Sequence, residues 1–252
     1  MRILYYVFVF VLTAAFCVSP AFSDIQEGLA GYWKFDEIDG DTAVDSSGND
    51  NDGIIEGDPQ WVPGKIDGAL EFDGDDLVNC GNGDSLQIQD EITIAFWFQV
   101  DAFINTWEAF LAKGDDSYRT SRGGGNGNAT HMGISGTTVG GGNGWFNGLT
   151  VVTDGTWHHM TAVYDGEEGR IYIDGELDIT SPGTGKVNIS GHDLYIGENS
   201  QQRNRYFHGL LDDIRIYNRV LTEDEIIEVM EGLQKSVEAA NKLPVTWGNI
   251  KK

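Results

Sequence analysis

The feature that most constrains this chain is a series of short runs in which apolar and polar residues alternate, separated by glycine-containing turns. In the run 91–100, EITIAFWFQV, residues 92, 94, 96, 98 and 100 are all apolar. This alternation places the apolar set on one face of a β-strand. Trp97 belongs to the other set, so both faces carry apolar surface and a central position in a sheet is expected.

Turn residues indicate how such runs are joined. Asp174-Gly175 separates the runs 170–173 and 176–179, and this pair suits a type I′ hairpin turn, whose two central residues need positive φ. The alternation predicts further strands at 29–36, 68–73, 108–112, 131–135, 148–152, 160–164, 193–197 and 208–217. Glycine makes up 34 of the 252 residues, which agrees with many turns. Many short strands of this kind predict an all-β chain folded as two stacked antiparallel sheets.

The first residues predict the compartment. A basic residue and an apolar run are followed by small residues at positions 21 and 23, just before Asp24. That pattern is typical of a secretory signal peptide, residues 1–23, so we expect a secreted or cell-surface protein. An uncleaved N-terminal anchor is the alternative. Signal cleavage would leave Cys80 as the only cysteine, so no intramolecular disulfide is expected.

The β region is expected to span residues 24–221 and to be followed by a short helix. Thr222 and Glu225 have the spacing of a capping box. The sequence therefore predicts a helix over residues 222–241, unless Gly232 breaks it. Residues 242–252 are expected to form a flexible tail.

Charge and hydropathy exclude two classes of partner. The formal net charge is −24, so the surface should repel nucleic acid and anionic lipid. No segment after the signal approaches the roughly 18 apolar residues that a membrane-spanning helix needs. We therefore expect no nucleic-acid partner and no membrane insertion after signal cleavage. The acids either keep a secreted protein soluble or, in a few places, bind a hard cation.

Five motifs occur in order along residues 28–230. They are Gly28–Glu37 (GLAGYWKFDE), Asp45–Gly53 (DSSGNDNDG), Gly68–Gly74 (GALEFDG), Thr156–Gly166 (TWHHMTAVYDG) and Asp212–Leu221 (DDIRIYNRVL). Together they resemble the LamG-like jelly-roll domains of the concanavalin A-like lectin/glucanase superfamily. The resemblance implies a two-sheet antiparallel jelly-roll sandwich with a short C-terminal helix. It implies much less about function, because this fold carries lectins, adhesion modules and enzyme appendages alike.

The same resemblance implies a Ca²⁺ site. Members of the family often bind Ca²⁺ where the acid of the opening strand, the Ser-Gly-Asn loop and an acid of the closing strand converge. Carried over to this sequence, the expected ligands are Asp36, Asp45, Asn49, the carbonyl of Gly53, and Asp212, with Asp50 and Asp52 as alternative donors.

Alternation along residues 210–217 gives independent support for a role of Asp212. It places Asp212 on the same side as Leu210, Ile214 and Ile216, which are expected to face the core. A buried carboxylate is costly unless it is paired or bound to a metal. The alternative is that Asp36 and Asp45 cap turns and that Asp212 accepts hydrogen bonds from the backbone.

Loop residues predict a recognition surface. The segment 117–122 is interpreted as a loop between strands, and the glycine run 140–144 leads into a second aromatic segment. The candidate ligand-binding residues are Tyr118, Arg119, Asn143 and Trp145, with Trp107 and residues 203–207 as further candidates. Aromatic rings can stack on sugar rings while Asn and Arg bond the hydroxyls. The alternative is that these segments are exposed turns and that Trp145 packs on the sandwich.

Sequence patterns of catalysis are missing. Polysaccharide-cleaving relatives of this sandwich carry a Glu-x-Asp-x-x-Glu strand, which sets two carboxylates on one face, and no predicted strand has it. No Gly-x-Ser-x-Gly elbow occurs either. We therefore expect a non-catalytic module that binds an extracellular glycan. A protein–protein adhesion or assembly module is the rival prediction, and a polysaccharide-active enzyme with an unrecognised site is the third.

Overall fold

The computed structural model describes residues 24–124 and 127–232, and most of its regular structure is β-strand. The strands are β1 (Leu29–Trp33), β2 (Thr42–Ala43), β3 (Gly53–Glu56), β4 (Gln60–Pro63), β5 (Gly68–Asp73), β6 (Leu77–Asn79), β7 (Ile92–Gln99), β8 (Ala109–Ala112), β9 (Tyr118–Arg122), β10 (Thr130–Ile134), β11 (Trp145–Asn147), β12 (Trp157–Tyr164), β13 (Glu168–Ile173), β14 (Glu176–Pro182), β15 (Tyr195–Ile196) and β16 (His208–Tyr217). A 3₁₀ turn covers Asp84–Leu86, a helical turn α1 covers Val139–Gly142, and helix α2 covers Glu223–Met230. The predicted signal peptide, 1–23, and tail, 242–252, lie outside the described residues.

The strands form two antiparallel sheets. Sheet A has the order β14-β13-β12-β7-β16-β5-β4, and β1 also pairs with β16. Sheet B has the order β11-β10-β9-β8-β15-β6-β3-β2. The predicted fold class, an all-β two-sheet sandwich with a short C-terminal helix, is confirmed.

The main core lies between the two sheets. The predicted apolar set of β7 points into it, and Phe96 and Phe98 place their ring centroids 5.2 and 4.8 Å from that of Phe110 in sheet B. Fully burying a side chain of this size stabilises the fold by roughly 1.5–3 kcal/mol. The alternation read from the sequence therefore identifies the inner face of β7 correctly.

The outer face of sheet A is also covered. Ala95 of β7 and Val163 of β12 pack in a second apolar cluster with Ile226 and Val229 of α2. Trp97 donates its indole N–H to the carbonyl of Met230 at 3.1 Å. Strand β7 is therefore central and buried on both faces, as the position of Trp97 in the sequence predicts.

Helix α2 begins as predicted but ends early. Thr222 and Glu225 form the predicted capping box. The helix stops at Met230, and Gly232 has φ of +68°, a left-handed conformation common just after a helix end. The described part of the helix therefore ends near Gly232, as the alternative to a longer helix allowed, and residues 233–241 lie outside the described residues. No helix within the described ranges is long and apolar enough to span a bilayer.

Two of the assignments made from the sequence, one loop and one strand, are wrong. Residues 118–122, interpreted as a loop, form β9 between β8 and β10. The run YRTSR contains one apolar residue, so its hydropathy has no visible period of two. Residues 148–152 form no strand. The strand that pairs with β10 lies just before them, at Trp145–Asn147.

Strand β16 changes phase at Asp213. The register with β7 shifts between Asp212 and Arg215, and Asp213 has φ of +56°. Leu211, not Leu210, consequently joins Ile214 in the inter-sheet core. The sequence-based assignment of Asp212 to the core-facing side is therefore wrong, because a bulge breaks the strict alternation of a strand.

Candidate functional site

Two neighbouring rows of side chains cross the outer face of sheet B. The first row, in pairing order from β11 to β15, is Trp145, Gly133, Arg119, Ala112 and Tyr195. The second row is Asn147, His131, Ser121 and Ala109. Their chain neighbours Phe146, Met132, Tyr118 and Leu111 belong to the inter-sheet core. Since successive side chains of a strand point to opposite faces, both rows point away from that core.

Three rings meet over these rows. Trp107, in the segment between β7 and β8, has its ring centroid 5.1 Å from His131 and 6.0 Å from Trp145. The His131 and Trp145 rings are 5.5 Å apart. Both tryptophans are half-buried. The outer face of sheet B therefore presents two partly accessible indoles, the side chains best suited to stacking on an apolar ligand surface.

Two arginines converge on one carboxylate beside the rings. Asp115 Oδ1 lies 2.8 Å from Arg205 Nη1 and 3.4 Å from Arg119 Nε. The Arg119 side chain lies across Gly133 of the neighbouring strand β10. The space above Gly133 is filled by it, since a Cβ built there would be 2.5 Å from Arg119 Nη1. The guanidinium of Arg205 is 6.0 Å from the centroid of the Trp107 ring. We refer to Trp107, Asp115, Arg119, His131, Trp145 and Arg205 as the sheet B site.

Burial changes the acid–base behaviour of this site. Burial lowers the pKa of Arg119, and the nearby Asp115 opposes that shift. Burial together with the charge of Arg119 lowers the pKa of His131 to about 3, so the imidazole is neutral near pH 7. Its Nδ1 lies 3.0 Å from Asn147 Oδ1, while its buried Nε2 makes no hydrogen bond within the described part of the chain. The site therefore holds two guanidinium charges, one carboxylate and a neutral histidine.

Two loops hold the charged part of the site in place. The fully buried Glu198 accepts hydrogen bonds from three backbone N–H groups within residues 199–205, at 2.8 to 3.0 Å. Gln201 Oε1 accepts from the backbone N–H groups of Asp115 and Asp116. The loop that carries Arg205 is thereby fixed to the loop that carries Asp115. A site ordered in advance loses less entropy when a ligand binds.

The structure brings together two of the four predicted ligand-binding residues. Arg119 and Trp145 lie in the sheet B site, as does the further candidate Trp107. The prediction for Tyr118 is wrong: its side chain is fully buried in the core, and its hydroxyl donates to the carbonyl of Leu86 at 3.1 Å. Asn143 is exposed and donates from Nδ2 to the carbonyl of Gly140 at 2.8 Å, so it closes the turn after α1.

Sequence reasoning missed two members of the site. His131 lies in a strand that was predicted, and its alternation with the apolar Met132 was the signal that it faces outward. Asp115 gave no signal, since it is one of 40 acidic residues and lies in a turn. Its importance comes from its contacts with residues that are distant in the sequence.

The side chains of Asp45 and Asn49, predicted as metal ligands from the Ser-Gly-Asn loop, make hydrogen bonds within the protein. Asp45 accepts hydrogen bonds from the backbone N–H groups of Tyr32, Ser47 and Asn51 at 2.9 to 3.0 Å. Burial raises the pKa of Asp45, but these hydrogen bonds outweigh it and the pKa lies below its usual value. Asn49 donates to the carbonyl of Leu29 at 2.9 Å. Asp45 therefore anchors its loop to β1, as the turn-capping alternative proposed.

Gly53 does not lie in that loop. It forms the start of β3, where a Cβ would be 2.3 Å from Val78 Cγ1, so it is packed tightly within the sandwich. The one trio of metal-ligating side chains that share a space within residues 24–124 and 127–232 is Asp58, Asp73 and Asp75. That trio is fully exposed and contains none of the predicted ligands. The three predicted carboxylate ligands, Asp36, Asp45 and Asp212, therefore do not meet as one cluster of metal-ligating side chains.

Two of the predicted metal ligands, Asp36 and Asp212, bind the same turn. Asp36 Oδ1 accepts from the backbone N–H of Gly68 at 3.0 Å, and Asp212 Oδ2 accepts from that of Ile66 at 2.8 Å. Both carboxylates therefore hold the turn between β4 and β5. Asp212 is fully buried, and its Oδ1 has no hydrogen-bond partner among the described residues. A buried carboxylate oxygen without a donor fits a hard cation.

Burial raises the pKa of Asp212 to about 8, and the charges of Asp213 and Asp36 add to this shift. The N–H of Ile66 opposes it. Without a cation, this carboxyl therefore keeps a proton to an unusually high pH.

Comparison with known proteins identifies the family. The family profile described as the concanavalin A-like lectin/glucanases superfamily matches residues 72–227, more than half of the chain. The chain belongs to this superfamily. A search of curated protein sequences gives no significant match to this concanavalin A-like domain.

Solved structures share the fold at low sequence identity. Domain 4 of AbnA, a GH43 extracellular arabinanase from Geobacillus stearothermophilus solved with arabinotriose, has a TM-score of 0.63 and 23% identity, over 80% of this chain and 97% of that one. The binding domain of Paraclostridial Mosquitocidal Protein 1 has a TM-score of 0.64 and 15% identity, over 82% and 52%. The binding domain of botulinum neurotoxin DC, solved with SialylT, has a TM-score of 0.59 and 16% identity, over 84% and 53%. The concanavalin A-like domain thus spans about half the length of these toxin chains.

Proposed function

We propose that this concanavalin A-like domain is a non-catalytic module that binds carbohydrate through the sheet B site. The observation that carries the proposal is the pair of half-buried indoles, Trp107 and Trp145, set beside two guanidinium groups on one sheet face. An indole covers the apolar face of a sugar ring, and the arginines bond its polar substituents. The complex of the AbnA domain with arabinotriose supports the same class of ligand.

A glycan array followed by titration tests this function. We expect the mature chain, residues 24–252, to bind at least one oligosaccharide class. Trp107→Ala and Trp145→Ala should each weaken that binding about tenfold or more, since truncating a central tryptophan of an interface commonly costs about 2 kcal/mol.

Trp61→Ala is the matched control. Trp61 is also half-buried, but it lies on β4 of sheet A, where its ring packs against Phe35. Binding that survives both sheet B substitutions, or that is lost equally in the control, would place the glycan elsewhere. A chain that binds no glycan on the array would contradict the proposal.

We also propose that the domain is secreted and that residues 1–23 are removed. The supporting pattern is the apolar run followed by small residues before Asp24. Expression of the full chain in a secreting host, followed by N-terminal sequencing of the exported product, should show Asp24 as the first residue. Retention of residues 1–23 would favour the anchor alternative.

Finally, we propose that Asp36 and Asp212 hold a calcium ion. The support is the buried, unpartnered Oδ1 of Asp212 close to a second carboxylate. A calcium ion there would neutralise the buried charge and tie three chain segments together. Its role would be structural, so loss of the ion should lower stability.

A further inference from the structure

Three of the seven arginines in the described residues lie on or beside the outer face of sheet B. The described residues contain seven arginines, at positions 119, 122, 170, 203, 205, 215 and 219. Arg119 lies in the sheet B site, Arg205 lies beside it, and Arg203 covers Tyr195 of the same row at 5.4 Å. The net charge of the chain is −24, so these three guanidinium groups lie on an otherwise acidic protein.

The charge of the sheet B site is not balanced. Asp115 is the acidic partner shared by Arg119 and Arg205, and its Oδ1 also accepts a hydrogen bond from Asn199 at 2.8 Å. One carboxylate therefore serves two guanidinium groups. Arg203 has its own partner, since its Nε lies 3.5 Å from the buried Glu198. A local excess of one positive charge remains at the Arg119–Arg205 pair.

Arg119 also has an unused donor. The residue is only 8% exposed. Its Nε lies 3.4 Å from Asp115 Oδ1 but makes no hydrogen bond within the described segments. A buried guanidinium whose Nε–H lacks a hydrogen-bond acceptor, beside a second guanidinium, is costly, because desolvation and like-charge repulsion act together. An anionic group brought to this pair would relieve both costs.

We infer that the ligand is an acidic glycan, whose sugar ring stacks on Trp107 or Trp145 while its carboxylate meets the Arg119–Arg205 pair. This inference rests on the proposed carbohydrate-binding function and narrows its ligand class. A carboxylate matches the planar fork of arginine better than a hydroxyl does, and charge-assisted hydrogen bonds are about twice as strong as neutral ones. A uronic acid presents a stacking ring face and a carboxylate within one residue.

Paired probes separate charge from sugar recognition. Trigalacturonic acid carries the carboxylates, and its fully methyl-esterified form keeps the same ring skeleton without the charge. We expect the wild-type domain to bind the acid at least tenfold more tightly than the ester. Arg205→Gln should weaken binding of the acid about tenfold and weaken binding of the ester by a much smaller factor.

A second variant acts on Arg119 without removing it. Gly133→Ala places a Cβ 2.5 Å from the end of the Arg119 side chain, so the guanidinium must move while the backbone of β10 need not. We expect it to lose preference for the acid as Arg205→Gln does, with an unchanged circular dichroism spectrum. Lys186→Gln is the control, because it removes one positive charge from an exposed ion pair with Asp90.

The outcomes distinguish this inference from the function on which it rests. Equal wild-type affinity for acid and ester, or equal loss of both in Arg205→Gln, would overturn the acidic ligand and leave a site for neutral sugars. Loss of preference in Lys186→Gln would attribute it to overall charge and also overturn the inference. Failure to bind either trimer or any glycan on the array would remove the carbohydrate function itself.

Discussion

At the scale of single residues, Asp213 forms a buried ion pair that strict strand alternation does not predict. Its bulge turns the carboxylate toward Arg215, whose Nη1 lies 3.0 Å from Oδ2, and both residues are almost fully buried. Arg215 also donates to the hydroxyl of Tyr32 at 2.6 Å and to the carbonyl of Val229 at 2.9 Å. One ionic group therefore joins β1, β16 and α2.

Removing Asp213 should be severe. We expect Asp213→Ala to lower the free energy of unfolding by about 3–5 kcal/mol, because it leaves the Arg215 charge buried without its partner. Chemical denaturation measures this. Asp90→Ala, which breaks an exposed ion pair with Lys186, is the control and should change stability by less than about 0.5 kcal/mol. Similar values for the two variants would mean that Arg215 finds water or another acceptor.

At the scale of elements, the start of helix α2 is set by neighbouring residues, while the helix itself packs against strands from distant parts of the chain. The hydroxyl of Thr222 accepts from the backbone N–H of Glu225, and the Glu225 carboxylate accepts from that of Thr222 at 2.7 Å. Glu225 also pairs with Arg219 at 2.7 Å. The cap thus fixes the start of a helix whose apolar side covers sheet A.

Loss of that cap should have a modest and specific cost. We expect Thr222→Ala to lower the free energy of unfolding by about 1 kcal/mol, because the backbone N–H of Glu225 loses its side-chain acceptor. Thr222→Ser keeps the hydroxyl and should stay close to the wild type. Denaturant midpoints compare the three proteins. A loss in the serine variant equal to that in alanine would show that the methyl group, rather than the cap, is responsible.

At the scale of the whole molecule, the ends of the β region meet at Asp36 and Asp212. Asp36 follows β1, Asp212 lies in β16, and both hold the turn between β4 and β5. These segments are separated by much of the chain. An ion bound there would link them in the native state but not in the unfolded state, and would stabilise the fold by mass action.

Calcium and pH should act on this point together. The pKa of Asp212 is raised to about 8, so in the absence of a cation the folded state holds a proton that the unfolded state releases near pH 4. The contribution of Asp212 to stability should therefore fall as pH rises from about 4 to about 8. Added calcium should replace the proton and raise Tm more at pH 8 than at pH 5.

Differential scanning calorimetry with calcium or with chelator, at the two pH values, measures this effect. Asp212→Asn keeps the shape without the charge and should remove both the response to calcium and the difference in that response between the two pH values. A wild-type Tm that is the same with calcium and with chelator would contradict the calcium proposal. An unchanged response in Asp212→Asn would place the ion elsewhere.

The sequence by itself determined the two-layer architecture, the inner face of β7 and the capped start of α2, because period-two alternation, Asp-Gly turns and capping spacing are local signals. It also named Arg119 and Trp145, which the structure places together on the outer face of sheet B. Only the tertiary structure decided that Tyr118 points inward, that β16 changes phase at Asp213, and that Asp115 meets Arg205. Those facts depend on strand register and on contacts between distant loops, which pairing of β8 with β15 brings together. No window of neighbouring residues contains that information.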